Sequence, residues 1–293
     1  MKIIGHQKII NLLDKAIAKN AVSHAYLFHG PAHAGKFTVA EDFAKKLTKR
    51  EGFINPDLVI VRPETEEKKG IVKKHDIRIE QIRELQHQLN LSAQWGKYKV
   101  AIIDEAERLN KTAQNSLLKI LEEAGSGVVL ILVADDIRRL LPTILSRCQK
   151  IKFGTVSETE LRQEVTIENE QEIGDLIFWS LGRPGLMLNL LKDEDELNFR
   201  KDSARELEKL FSQNVSERFS LAEEMSKDTA ILAEKINIWL FIFREAILGR
   251  KKFTGADQAK ILKLIDKTEK SLEIIKDTNS NARLVLENLF LEF

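Results

Sequence analysis

Four predominantly apolar runs, each separated from the next by a stretch of helical spacing, constrain this chain more than any other feature. They are "AYLFHG" (Ala25 to Gly30), "DLVIV" (Asp57 to Val61), "YKVAIID" (Tyr98 to Asp104) and "VVLILVA" (Val128 to Ala134). A run that is apolar at every position, not at alternate ones, belongs to a strand buried on both faces, which is the signature of a parallel sheet covered by helices. The intervening segments supply the helices. "FTVAEDFAKKL" places Val39, Ala40, Phe43, Ala44 and Leu47 on one face, and "IEQIRELQHQLNL" does the same with Ile82, Leu85 and Leu89. "NKTAQNSLLKILEEAGSG" begins at an Asn110 cap and is ended by Gly125.

After "QKIKF" (Gln149 to Phe153) strand signals become rare. Ser157 and Glu160 have the spacing of a capping box. "GRPG" (Gly182 to Gly185) reads as a break between short helices. Beyond about Glu194 the pattern is helical and heavily charged. One helix carries Ile236, Trp239, Leu240, Phe243 and Ile247; a second carries Ile261, Ile265, Thr268, Leu272 and Ile275. A last one follows "NSN" with Leu284, Leu286, Leu289 and Phe290. The predicted class is α/β plus all-α, in three parts: an α/β domain over 1–154, a small helical domain over 155–193 and a helical domain over 194–293. A chain of 293 residues is long enough for two or three such domains. Its 46 basic and 45 acidic residues balance, which argues against a protein that wraps DNA by bulk charge. The one cysteine, Cys148, makes no intrachain disulfide, so a reducing compartment fits. The opening stretch is amphipathic without a long apolar core, and no apolar run approaches the ~20 residues that span a bilayer. A cytoplasmic protein with no membrane partner is expected.

The chemistry is expected where the first strand ends. Gly30, Gly35 and Lys36 satisfy G-x-x-x-x-G-K-[ST], and Phe37 breaks it where a hydroxyl should stand. In a strand–loop–helix context, backbone N–H groups and a helix N-terminus cradle phosphate oxygens, the lysine reaches the outer phosphates, and the following hydroxyl ligates Mg²⁺. The pattern therefore points to ATP or ADP with Mg²⁺, and Phe37 weakens it. Thr38 offers a hydroxyl one residue on, turned by ~100° around the helix. Asp104 and Glu105 end the third apolar run, the place of a metal-associated aspartate and a water-orienting glutamate in phosphate-loop proteins. A plain strand–helix turn and an acidic surface turn are the competing readings. Lys68, Lys69, Lys73 and Lys74, flanked by acidic residues, read as a solvated hairpin or loop. His24, His29 and His33 lack a metal-site spacing.

Several segments together resemble the bacterial clamp-loader AAA+ family of DNA polymerase III, in its delta-prime branch. They are "IGHQKIINLLDKAI", "SHAYLFHGP", "VAIIDEAERLNKTAQNSLLKILEE", "LPTILSRCQKIKF" and "NSNARLVLENLF". The resemblance spans the chain and is strongest from Ile4 to Phe153. It implies an AAA+ ATPase-like domain, a lid and a collar, within a hetero-oligomeric ring of tau/gamma and delta subunits. That ring opens the sliding clamp at primer–template DNA. It also implies that the arginine of Ser146-Arg147-Cys148 reaches a neighbouring subunit's ATP in trans; a salt-bridged surface arginine is the competing reading. Three departures from motor subunits stand out. They are Phe37, the pair Asp135-Asp136 where a polar sensor is usual, and Gly185 where a lid arginine is usual. They imply a subunit without independent ATPase activity, within the polymerase holoenzyme. An autonomous ATPase, a motor-type subunit and a vestigial scaffold are the alternatives. Many relatives carry a zinc-binding cysteine cluster between the phosphate loop and the acidic strand; Thr48 to Asp57 here has no cysteine, so no zinc is expected, and packing around Phe53 and Ile54 is expected instead.

Overall fold

A computed structural model describes residues 3–50, 55–68, 71–91, 93–94, 97–123, 125, 127–164, 170–253, 256–277 and 280–293. The expected packing around Phe53 and Ile54 lies outside the described residues. Residue contacts separate the chain into two compact units, 1–189 and 190–293.

In the first unit, α1 (Gln7–Ala18), β1 (Ala25–His29) and α2 (Lys36–Thr48) come first. β2 (Leu58–Val61), the hairpin β3 (Thr65–Lys68) and β4 (Ile71–Lys74), then α3 (Ile79–Asn90) follow. Next are β5 (Lys99–Ile103), α4 (Lys111–Glu123), β6 (Val128–Ala134), α5 (Pro142–Arg147) and β7 (Gln149–Lys152). Five strands form one sheet in the order β2-β5-β6-β1-β7, and every neighbouring pair is parallel. Both faces are dry. Ala25, Leu27, Ala101, Ile103, Leu130 and Leu132 pack on one side, with Ile82 and Leu85 of α3 and Leu117 and Leu121 of α4. Tyr26, Phe28, Val100, Ile102, Val129 and Ile131 pack on the other, with Leu13 of α1 and Val39, Phe43 and Leu47 of α2. The period-2 alternation of a strand sends consecutive residues of the central strands into two different cores, which is why those runs are almost wholly apolar. Asn110 caps α4, its Oδ1 accepting from the Ala113 amide at 2.8 Å. The charged 66–76 segment overlaps the β3–β4 hairpin, which begins at Thr65.

The unit closes with α6 (Glu158–Arg162), α7 (Glu170–Ser180) and α8 (Pro184–Leu190). Ser157 and Glu160 form the expected capping box. Ile4, Val156, Leu161, Ile173, Ile177 and Met187 make a third, smaller core. The turn between α7 and α8 is Leu181–Arg183, with positive φ at Leu181 and Gly182, and Pro184 and Gly185 of "GRPG" open α8.

The second unit is helical: α9 (Glu194–Leu210), α10 (Val215–Met225), α11 (Thr229–Ile247), α12 (Gln258–Asp277) and α13 (Ala282–Phe290). Trp239 and Phe243 are fully buried core residues, and Trp239 Nε1 donates to the Ser203 carbonyl at 2.8 Å. Two details differ from the sequence reading. The buried line of α12 runs through Ile261, Leu264, Thr268 and Ser271, and Leu284 of α13 is exposed while Leu286, Leu289 and Phe290 are buried. An apolar residue one position off the stripe fits the helical period almost as well as one on it, so spacing alone does not separate them.

Candidate functional site

The loop between β1 and α2 lies at the carboxyl edge of the parallel sheet, where ligands bind in open α/β folds. Gly30 follows β1 with φ +150°, and a Cβ there would stand 2.3 Å from the Phe153 carbonyl oxygen. Glycine is therefore required because the end of β7 passes against it. Gly35 precedes α2 with φ +89°.

Lys36 is 4% exposed, and its ammonium is saturated. Nζ donates to the Gly30 carbonyl at 2.9 Å, to the Pro31 carbonyl at 2.6 Å and to Asp135 Oδ1 at 2.7 Å. An ammonium has three N–H donors, and these three acceptors account for them. Sequence left open whether Asp135 and Asp136 face the loop or solvent; the pair divides. Asp135, at the end of β6, turns to Lys36. Asp136 caps the short turn Ile137–Arg139, accepting from the Arg138 amide at 3.0 Å, and pairs with the Arg138 guanidinium, which holds its carboxyl below the usual range.

Phe37 lies beside a residue that sequence did not single out. The Arg62 guanidinium, at the end of β2, sits 4.3 Å from the Phe37 ring centroid and 3.5 Å from Asp104 Oδ2. β2 neighbours β5, and the Asp104 amide donates to the Val61 carbonyl at 2.9 Å, so register alone brings Arg62 next to Asp104. Burial raises the Asp104 carboxyl above its usual range. The Glu105 and Asp135 charges push the same way, against Arg62 and the Glu105 amide. Glu105 has φ +49°; its carboxylate accepts from Arg108 Nε at 2.7 Å and is paired with Lys74 of β4. Glu107 accepts from the Asp135 amide at 3.2 Å, and its carboxyl is also raised, foremost by burial and then by Asp135. Thr38 stands half-buried in the first turn of α2.

Gly185, near the start of α8, touches the same loop. Its amide donates to the His33 carbonyl at 2.9 Å, and a Cβ there would stand 2.9 Å from that oxygen. Any side chain at position 185 requires the loop or α8 to move. Among the described residues no group of three or more His, Cys, Asp or Glu converges as if to hold a metal ion.

Arg147 lies elsewhere, in the last turn of α5, with its side chain 37% exposed. Nη2 donates to Glu122 Oε1 of α4 at 2.7 Å and Nη1 to the Thr143 carbonyl at 3.1 Å. Cys148, next to it, is buried, and burial pushes its thiol up to about 11. The structure thus brings Gly30, Gly35, Lys36, Asp104 and Glu105 to one sheet edge with Arg62, Glu107 and Asp135, and sets Arg147 apart at the surface. Arg62 was legible in principle as the residue closing the second apolar run beside the Asp104 strand.

This parallel sheet with a loop at its carboxyl edge and helices following is the AAA+ phosphate-loop fold. The chain belongs to the DNA polymerase III delta subunit family, whose model matches residues 5–157. It is similar to the DNA polymerase III subunit delta' of Pseudomonas aeruginosa, 28% identical over 92% of each chain. It is 33% identical to the subunit delta' of Bacillus subtilis over 50% of this chain and 46% of that protein. It is 32% identical to the tau/gamma subunit of Haemophilus influenzae over 56% of this chain and 25% of that one. Among solved structures, a gamma subunit-related protein of Thermotoga maritima matches with a TM-score of 0.50 at 19% identity, covering 97% of each chain, which supports the fold alone. No helix among the described residues is long and apolar enough to cross a membrane.

Proposed function

We propose that this chain is an accessory subunit of a clamp loader. It assembles with tau/gamma motor subunits and a delta subunit, and presents Arg147 to ATP held by a neighbour. It takes part in loading the sliding clamp on primed DNA without turning over nucleotide itself. On this reading residues 1–154, 155–193 and 194–293 are the AAA+ domain, the lid and the collar. The observation that carries it is the saturated Lys36: the cation that would grip a triphosphate already has three protein acceptors, one of them a carboxylate. Two other features point the same way. At Asp104, where a P-loop protein places Mg²⁺, a guanidinium stands instead, stacked on Phe37. At position 185 there is no room for a nucleotide-sensing side chain. The residues present do not fit a magnesium nucleotide.

Arg147 is suited to work in trans. It is exposed on a helix fixed by the buried Ile144, and a guanidinium offers a planar fork of donors to phosphate oxygens. An arginine supplied to a neighbour's phosphoryl transfer contributes about 10³-fold or more to that site's rate. The test is the ATPase of the reconstituted complex with clamp and primed DNA. Arg147→Ala is expected to abolish turnover at the one site it serves while the complex still assembles. The free chain is expected to hydrolyse nothing. Unchanged turnover with Arg147→Ala, or turnover by the free chain that Lys36→Ala removes, overturns the reading.

A further inference from the structure

We infer that Glu122 gates Arg147: it neutralises the guanidinium in the free surface and must surrender it before Arg147 can act on a neighbour. The inference rests on the proposed role of Arg147 and adds its regulation. Both groups are anchored at their backbones. Ile120 and Leu121 bury the end of α4, and Ile144 and Cys148 bury the turn that carries Arg147. Gln114 of α4 ties the two helices together: its Nε2 donates to the Arg139 carbonyl at 3.0 Å and its Oε1 accepts from the Leu141 amide at 2.8 Å, just before α5. The helices cannot slide apart cheaply, so only side-chain torsions open or close the 2.7 Å contact between Arg147 and Glu122. The side chains are 37% and 52% exposed, so the pair meets water and any partner surface.

The strength of such a pair sets what it can do. An exposed ion pair shifts an equilibrium by roughly 1.5- to 5-fold. That holds the guanidinium when nothing else is present, and it yields to a triphosphate, which carries more charge and accepts the fork through two oxygens. Glu122 therefore lowers the affinity with which Arg147 engages phosphate by about the same factor and leaves the chemical step untouched. The Thr143 carbonyl keeps the side chain oriented when the carboxylate lets go.

The experiment is the Arg147-dependent ATPase of the full reconstituted complex, the rate less that of the Arg147→Ala complex, as a function of ATP. Glu122→Gln and Glu122→Ala are each expected to lower the half-saturating ATP concentration about two- to fivefold with kcat unchanged. In the Arg147→Ala background both are expected to do nothing. If Arg147→Ala has no effect, the reading of the subunit fails and the gate with it. If Arg147→Ala impairs turnover while the Glu122 variants leave the half-saturating concentration unchanged or raise it, the gate alone is overturned. An effect of Glu122→Gln that persists without Arg147 also overturns it, because Glu122 would then act through something else.

Discussion

Lys36 and Arg147 are both cations on the AAA+ domain, and the chain treats them oppositely. Lys36 is 4% exposed and held by three acceptors of its own chain; Arg147 is 37% exposed and held by one carboxylate and one carbonyl. A buried ammonium whose donors are all taken belongs to the fold, because removing it leaves two half-buried carbonyls without their donor. An exposed guanidinium in a single ion pair contributes little to stability and stays available. The difference teaches that sequence spacing identifies a phosphate loop, while partners decide whether its lysine is free to use.

Substitutions can break that comparison. The largest loss is expected at Gly30→Ala, where the new Cβ meets the Phe153 backbone at 2.3 Å under a φ of +150°. Neither strand end can yield cheaply, and the cost is about 3 kcal/mol or more, read as a fall in the urea midpoint. A wild-type midpoint would show that the loop is loosely seated. Lys36→Met is expected to cost about 1–2 kcal/mol, reduced from a fully buried pair because Asp135 is 45% exposed, with a drop in Tm of several degrees. Arg147→Ala should cost under about 0.5 kcal/mol in the same assay. If the two losses were equal, the contrast between a structural and an available cation would be gone.

Glu107 sharpens the picture through pH. Its folded carboxyl titrates above its unfolded value because of burial and Asp135. A raised carboxyl favours the fold while protonated; that advantage is lost as pH rises from the unfolded value through the folded one. Glu107→Gln should therefore raise Tm at pH 7.5 and leave it unchanged below about pH 4. A gain that is equal at both values would place the effect in packing and not in charge.

Much of this was legible in the residues. Three of the four runs from Ala25 to Ala134 are buried parallel strands, the second (β2) being a partly exposed edge strand with Ile60 38% exposed, and the phosphate-loop residues are fixed by spacing within one short segment. What sequence left open lies between segments. Asp135 is 99 positions from Lys36, and nothing local says whether its carboxylate turns to the loop or to solvent. Arg62 owes its place to the register of β2 on β5, which is a property of the sheet and not of any motif. Gly185 was noted for the side chain it lacks; the structure adds that the His33 carbonyl occupies the space. In α12 and α13 the apolar pattern is broad enough to be read one position off, as Leu264 and Leu284 illustrate.

The smallest expected effect is a failure to gain function. Phe37 is where the loop departs from the phosphate-loop pattern, so Phe37→Thr restores that pattern. It restores a hydroxyl and removes a cation–π contact of about 0.5–1 kcal/mol, but it leaves Arg62 on Asp104 and Asp135 on Lys36. A magnesium nucleotide must displace both pairs, so Phe37→Thr alone should bind ATP no better than the wild type by calorimetry. Adding Arg62→Ser frees Asp104 for a metal, and adding Asp135→Asn removes the carboxylate that competes for Lys36. The triple variant is expected to show magnesium-dependent ATP binding that Lys36→Ala abolishes. Ligand at 100 times its dissociation constant would also stabilise the fold by about 2.7 kcal/mol. Binding by Phe37→Thr alone would mean that the missing hydroxyl was the whole defect and that the two internal pairs are incidental. Silence from the triple variant would place the obstruction elsewhere, with the Gly185–His33 contact the next to open.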